Sequence, residues 1–265
     1  MISMRPLRKD GRRAPRDLPL TRLLPNMLTM MSFFGGLTAV RFAMQERWEA
    51  AALAIVIASI FDILDGRVAR MLGATSKFGA ELDSLADLTS FGVAPALVLY
   101  LWNMSGAGGS FGWGAALVFA ACSALRLARF NTMLDDEDAP KWTKGYFVGV
   151  PAPAGAGLAL LPLFIVLSFG EEYRLMPQLM SVWLIFVGGM MVSRVPTLAM
   201  KGRRISPLAV APIMVGVCLL VAGLFTQTWL TLSVLGSTYF LTLPYGVWSY
   251  RRRVKKEKDS EGQDV

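Results

Sequence analysis

The sequence predicts an all-α polytopic membrane protein crossing the bilayer eight times. Two observations carry that expectation. Of the 265 residues, 54% are hydrophobic and only 17% charged, where soluble domains carry about 25% charge. The charges also crowd into the two tails and a few short loops, and the apolar runs between them are long enough to cross a bilayer, which takes about 20 helical residues.

The runs place helices at 23–44, 48–72, 77–103, 112–133, 150–169, 178–199, 207–226 and 228–248. An even number of spans leaves both tails on one side, together with the loops 73–76, 134–149 and 200–206. Seven cations precede the first span (Arg5, Arg8, Lys9, Arg12, Arg13, Arg16 and Arg22), and six follow the last between Arg251 and Lys258. Lys141, Lys144, Lys201, Arg203 and Arg204 join them, whereas the opposite loops hold only Arg47 and Arg174, offset by Glu46, Glu171 and Glu172. Cations collect on the cytoplasmic side of a membrane protein, so both termini are expected there. The net charge of +8 follows from that asymmetry. No aromatics interleave with the basic runs to stack bases, so nucleic acid is not an expected partner. Trp48, Trp102, Trp113, Trp142, Trp229 and Trp248 fall near span ends, as interfacial aromatics do. The first run is long and lacks a small-residue cleavage pattern, which marks a retained span.

Two absences narrow the chemistry. The chain has no histidine, which removes Ser-His-Asp and Cys-His catalysis and histidine metal sites; acid–base work falls to carboxylate, Lys or Tyr. Cys122 and Cys218 both sit inside apolar runs, where they read as small buried hydrophobes.

The informative stretch is DILDGRVARMLGATSKFGAELDSLAD at 62–87. Asp62 and Asp65 are three apart and Asp83 and Asp87 four apart, so each pair projects from one helical face. The short connection at 73–76 makes the two helices antiparallel, and their polar faces can meet. Each carboxylate at bilayer depth costs at least about 2.5–3.5 kcal/mol. Pairing with Arg67, Arg70, Lys77 or Arg126 offsets part of that cost. A hard divalent cation, Mg²⁺ or Mn²⁺, is the partner that four clustered oxygen anions favour, and two such ions would balance them. Gly66 and Gly79 remove side chains beside the acids and allow close approach. The acids alone also admit a divalent-cation transporter, although no paired broken helices recur in two halves of the chain.

These residues keep every spacing of the signature D-x2-D-G-x2-A-R-x8-G-x3-D-x3-D: Asp62, Asp65, Gly66, Ala69, Arg70, Gly79, Asp83 and Asp87. In this the chain resembles the CDP-alcohol phosphatidyltransferases. The resemblance implies a six-helix catalytic core at 23–200, preceded by a basic tail at 1–22. Two additional transmembrane helices at 201–248 and a basic tail at 249–265 would follow. It implies that Asp62, Asp65, Asp83 and Asp87 hold metal, with Asp87 also the general base. Asn26, Thr29, Gly66, Arg70 and Ser76 would contact the CDP-lipid; from its position after Pro25, Asn26 reads equally as a helix cap. Homodimers occur widely in the family, and a homodimer is the expected assembly.

Arg126 and Arg129, in CSALRLARFN at 122–131, are costly at membrane depth without an anionic partner. That partner could be substrate phosphate, the site's own aspartates, or the carboxylate of an amino acid, which arginine holds with paired hydrogen bonds. The Arg-x-x-Arg-x-Asn run, GVPAPAGAG at 149–157 and the opening LLPNMLTMMSFFGGL are similar to the bacterial integral-membrane phosphatidylserine synthases. Serine is therefore the expected acceptor, held by Arg126 and Arg129, with CDP-diacylglycerol as donor, in a bacterial inner membrane. Choline is the main rival, with Trp142 and Tyr146 as candidates for an aromatic cage; glycerol 3-phosphate and inositol follow.

Overall fold

A computed structural model describes residues 23–106, 109–134, 146–193, 196–198 and 207–243. Both basic tails, Trp142, Trp248 and the loop cations Lys141, Lys144, Arg194, Lys201, Arg203 and Arg204 lie outside the described residues. The fold is helical. Among the described residues, four helices are long and apolar enough to cross a membrane, at Leu23–Met44, Lys77–Met104, Gly109–Thr132 and Ala209–Thr226; a bent pair over 152–169 makes a fifth.

Helices α1 (Leu23–Met44) and α2 (Trp48–Met71) form an antiparallel hairpin, closed by a turn in which Glu46 takes a positive φ of 58°. Their seam is built of small residues: Ala39 and Ala43 on α1, and Ala51, Ala52, Ala54 and Ala58 on α2, are all buried. A Cβ added at Gly35 would lie 3.0 Å from Ala58 Cβ. Small side chains let two backbones come together where lipid offers no hydrophobic drive between helices. The Asp and Arg residues of α2 keep it from reading as a plain apolar span, yet it runs the length of its neighbours.

Helix α3 (Lys77–Asp87) begins at Ser76, whose Oγ accepts from Gly79 N at 3.0 Å. It continues through a π-helical stretch, Leu88–Val93, into α4 (Ala94–Leu99) and a second π-helical stretch, Tyr100–Met104. Pro95 supplies a reason for the first of these: it has no N–H, and its ring would crowd the carbonyl four residues back. The wider turn relieves that conflict, with Ala94 N bonded to Thr89 O. Helix α5 (Gly109–Leu134) then returns along α8 (Pro177–Val192). A Cβ on Gly188 of α8 would stand 3.3 Å from Phe119 Cα of α5.

The fifth expected span is broken. Helices α6 (Ala152–Ala159) and α7 (Leu161–Phe169) meet at 44°. Pro162 has no N–H to return to Leu158 O, and that carbonyl is taken instead by Trp183 Nε1 of α8, at 3.1 Å. The sixth expected span is shorter than the apolar run. α8 stops at Val192, with Ser193 extended; proline at 196 has no N–H to return to Val192 O, four residues back. The backbone instead pairs as two short antiparallel strands, β1 (Tyr146–Val148) and β2 (Pro196–Leu198), with Phe147 opposite Thr197. Gly149 follows β1 at φ +84°, and a Cβ there would fall 2.5 Å from Met191 O, so the chain enters α6 against the end of α8. Helix α9 (Pro207–Thr226) breaks at Gln227, and residues 228–243 form α10. None of the apolar window of α9 is buried against the rest of the molecule, as befits a helix facing lipid.

The two ends of the bundle differ. At one end Arg47 lies over the Phe42 ring at 4.9 Å, and Arg174 over Trp102 at 4.9 Å. Arg174 Nη1 also pairs with Glu171 at 3.1 Å, and Asn103 Nδ2 donates to Leu175 O at 2.9 Å. Trp102, expected at the interface, is 4% exposed beneath that guanidinium. The opposite end carries the polar residues described next.

Removing the Trp183 indole N–H would leave Leu158 O with only a backbone N–H from the α6 cap, at a cost of about 0.5–1.5 kcal/mol. Trp183→Phe is therefore expected to lower the thermal unfolding midpoint in detergent. An unchanged midpoint would remove this bond as the support of the bend.

Candidate functional site

The cytoplasm-expected ends of α1, α2, α3 and α5 and the start of α6 enclose two neighbouring cavities. The smaller, about 170 Å³, is lined by Asn26, Thr29, Asp65, Gly66, Arg70 and Ser76, with Gly79 and Asp83 among its other walls. The larger, about 370 Å³, is lined by Asp62, Asp65, Asp83 and Asp87, with Arg70, Arg126, Ser84 and Asn131 among its other walls. Asp65, Gly66, Arg70, Ala80 and Asp83 belong to both. The seam between α2 and α3 is thus the shared wall of a two-part site.

The smaller cavity is a product of close helix approach. Asn26 sits within the first turns of α1, after Leu23 has begun the helix, so it is not the helix cap. A Cβ on Gly79 would lie 3.1 Å from Ser76 Oγ and 3.2 Å from Asn26 Oδ1. Glycine at 79 is therefore what allows α1 and the capped start of α3 to meet. All five residues expected to contact a CDP-lipid line this one cavity. Arg70 folds back over Gly66, its Nη1 standing 3.6 Å from where a Cβ would be.

The carboxylates divide three and one. One oxygen from each of Asp62, Asp83 and Asp87 lies within 4.8 Å of the other two. Asp65 stands apart: it is 5% exposed, and its Oδ2 accepts from Thr29 Oγ1 at 2.6 Å. The expected set of four is therefore a cluster of three beside one anchored member, all on the larger cavity. Among the described residues none of the four lies within salt-bridge distance of a Lys or Arg, and Arg174–Glu171 is the one pair at that distance. Among the described residues the aspartates are not consumed by structural ion pairs.

The two arginines separate. Arg126 lines the larger cavity, within electrostatic reach of Asp87 and Asp62. Arg129 does not line it; its Nη1 donates to Val192 O at 2.9 Å and ties α5 to the last turn of α8. Two residues on, Asn131 Nδ2 donates to Ser84 Oγ at 2.9 Å, and that hydroxyl lies 3.1 Å from Ala80 O. Sequence reading gave Asn131 no role of its own. The Arg-x-x-Arg-x-Asn spacing was the available signal, but its partner Ser84 lies 47 residues away. Tyr146, a candidate for an aromatic cage, is described only by its strand backbone.

Behind Asp87 the π-helical stretch is held from two sides. Ser90 Oγ donates to Ser32 O at 2.9 Å. A Cβ on Gly36 of α1 would fall 2.7 Å from Ser90 Cα, and one on Gly92 would fall 2.8 Å from Ser123 Oγ of α5. π-Helical turns of this kind recur at functional sites. The contact at Gly36 is against backbone, so Gly36→Ala is expected to destabilise the protein by about 1–3 kcal/mol. Gly114→Ala, whose Cβ would meet nothing within 4 Å, should leave the detergent melting midpoint unchanged or slightly higher. Equal behaviour of the two variants would show that the π-helical stretch is not braced by α1.

Comparison with known proteins supplies the last observations. Residues 22–195 match the model of the CDP-alcohol phosphatidyltransferases, and residues 209–244 match a second, described as CDP-alcohol phosphatidyltransferase 2. A CDP-diacylglycerol–serine O-phosphatidyltransferase of Mycobacterium leprae is 38% identical over 87% of this chain and 76% of its own length. An enzyme of that name from Helicobacter pylori is 35% identical over 65% of this chain and 70% of its own length. A third, from Bacillus subtilis, is 33% identical over 65% and 88%.

Proposed function

Because the chain belongs to the CDP-alcohol phosphatidyltransferase family, we propose that it transfers the phosphatidyl group of CDP-diacylglycerol to L-serine, giving phosphatidylserine and CMP. The observation that carries this reading is a cavity lined by all the expected CDP-lipid contacts, sharing a wall with a cluster of three aspartates. Serine as acceptor follows from the names of the similar proteins and from Arg126 beside the aspartates.

The donor set suits a divalent cation. Three carboxylate oxygens within 4.8 Å of one another span the distance that two ligands at about 2.0–2.4 Å from a hard ion can bridge. The buried Asp87 Oδ1 has no hydrogen-bond partner, as a group kept for a ligand would. Asp62, Asp83 and Asp87 would hold Mg²⁺ or Mn²⁺, and Asp65 would help to hold a second ion. When bound, such ions withdraw charge from the pyrophosphate and stabilise departing phosphate oxygen.

The chain's own residues do the rest. Asn26, Thr29, Gly66, Arg70 and Ser76 seat the cytidine nucleotide in the smaller cavity, while the acyl chains remain in lipid. Arg126 holds the serine carboxylate in the larger one. Arg129, through Val192 O, fixes the helix that presents Arg126. As the serine oxygen forms its bond to the β-phosphorus, Asp87 accepts the hydroxyl proton. The bond from that phosphorus to the bridging oxygen breaks, its electron pair leaves with CMP, and no enzyme nucleophile is needed.

In this reading 23–200 is the six-helix catalytic core and 201–248 adds two transmembrane helices. The basic tails at 1–22 and 249–265 face the cytoplasm of a bacterial inner membrane. Assembly as a homodimer rests on the family resemblance alone.

The direct test is CMP release from CDP-diacylglycerol by purified protein with Mn²⁺ or Mg²⁺. L-serine, choline, inositol and glycerol 3-phosphate are offered separately. Release with serine alone is expected, and release with another acceptor alone would overturn the reading. Chelation with EDTA should abolish turnover and added Mn²⁺ restore it. Asp87→Asn should lower kcat by about 10²–10⁴-fold while CDP-lipid binding persists. Loss of binding in Asp87→Asn as full as in Asp62→Asn would count against Asp87 as the base.

A further inference from the structure

The residues beyond the catalytic core contribute one side chain whose position the reaction above does not use. Tyr239 lies on α10, where the chain matches the second family model. Its hydroxyl oxygen is buried and has no hydrogen-bond partner among the described residues. The Arg126 Nε is buried and unpartnered in the same way. The phenol and the guanidinium lie within electrostatic reach of each other, and Arg126 is within reach of Asp87.

Buried donors without partners are rare, because leaving one unsatisfied costs about 1–3 kcal/mol. Two on side chains within electrostatic reach of each other, one of them on the cavity that the expected base also lines, indicate a ligand that accepts from both. We propose that Tyr239 Oη–H and the Arg126 guanidinium together form the subsite for the carboxylate of the acceptor amino acid, which makes the last helix a determinant of acceptor specificity. This rests on serine being the acceptor, and it adds a residue from outside the catalytic core.

The layout supports the pairing. The first turn of α6 runs between two cavities: Ala152 and Pro153 line the larger with Arg126, and Ala154 lines an apolar one of about 200 Å³ with Tyr239, Leu232 and Gly236. Tyr239 thus approaches Arg126 across the start of a helix, the end where backbone N–H groups favour an anion. Arg129 is engaged by Val192 O, which leaves Arg126 as the arginine on the cavity toward the fourth and fifth spans. Arg67 and Arg70 also line the larger cavity, but from α2, so Arg126 is the guanidinium that α5 presents there. A neutral phenol adds a directed donor without adding charge. With the carboxylate so held, the serine hydroxyl, two carbons away, reaches toward the Asp87 side.

The test is the Tyr239→Phe variant, which keeps the ring and its apolar contacts. Steady-state CMP release is followed while L-serine and CDP-diacylglycerol are varied in turn, with a detergent melting curve for each protein. The serine KM is expected to rise about ten- to a hundredfold, the range for a hydrogen bond to a charged group. kcat should stay within about threefold, and the CDP-diacylglycerol KM and melting midpoint should not move. An unchanged serine KM would overturn the proposal. So would parallel losses in kcat and both KM values, which would mark Tyr239 as packing only. Wild-type protein that releases no CMP with serine would refute the serine reading itself, whereas serine turnover indifferent to Tyr239→Phe refutes only this inference.

Discussion

Four carboxylates gathered among apolar helices are the constraint from which the rest of the architecture follows. Each is unfavourable alone, and their mutual repulsion adds to that. The structure concentrates them at one end of the α2–α3 pair and gives each a different surrounding. Asp65 is neutralised in part by the Thr29 hydroxyl of α1, at 2.6 Å. Asp62, Asp83 and Asp87 are left facing one another across a cavity, an arrangement that makes sense when a cation completes it. The alanine seam of α1 and α2, the glycine at 79 and the Ser76 cap all bring backbone close enough to hold that geometry.

The opposite end shows what the protein does with charge that has no chemical task. Arg174 is stacked on Trp102 and paired with Glu171, and Arg47 lies on Phe42. Charge is quenched locally by rings and partners a few residues away or one loop across. At the site end Asp87 Oδ1, Arg126 Nε and Tyr239 Oη are buried without partners among the described residues. The contrast between satisfied and unsatisfied charge distinguishes the working end from the structural one without reference to any relative.

The apolar helices and the aspartates were legible because both are written locally. A charge in an apolar run stands out against its background, and spacings of three and four fix a helical face. The ends at 44 and 226 and the start of α2 at 48 agree with the structure residue for residue. What the sequence did not disclose depends on partners distant in the chain. The bend at 160 depends on Trp183 taking a carbonyl 25 residues away. The early end of α8 is accompanied by backbone pairing between 146–148 and 196–198. Arg126 and Arg129 look alike in sequence, three residues apart on one helix, yet one lines the cavity and the other caps a neighbour. Only tertiary hydrogen bonding separates them.

The π-helical stretch after Asp87 has a consequence for how this helix can vary. An i→i+5 turn is equivalent to an α-helix with one residue inserted, and one residue is about 100° of rotation. The face that carries Asp83 and Asp87 toward α2 and the face that buries Val98 and Leu99 are therefore offset in phase. The insertion works as a gear between two halves of one rod. Core substitutions beyond residue 93 can drift without turning the aspartates, whereas the length of the segment from 88 to 93 is pinned to the residue.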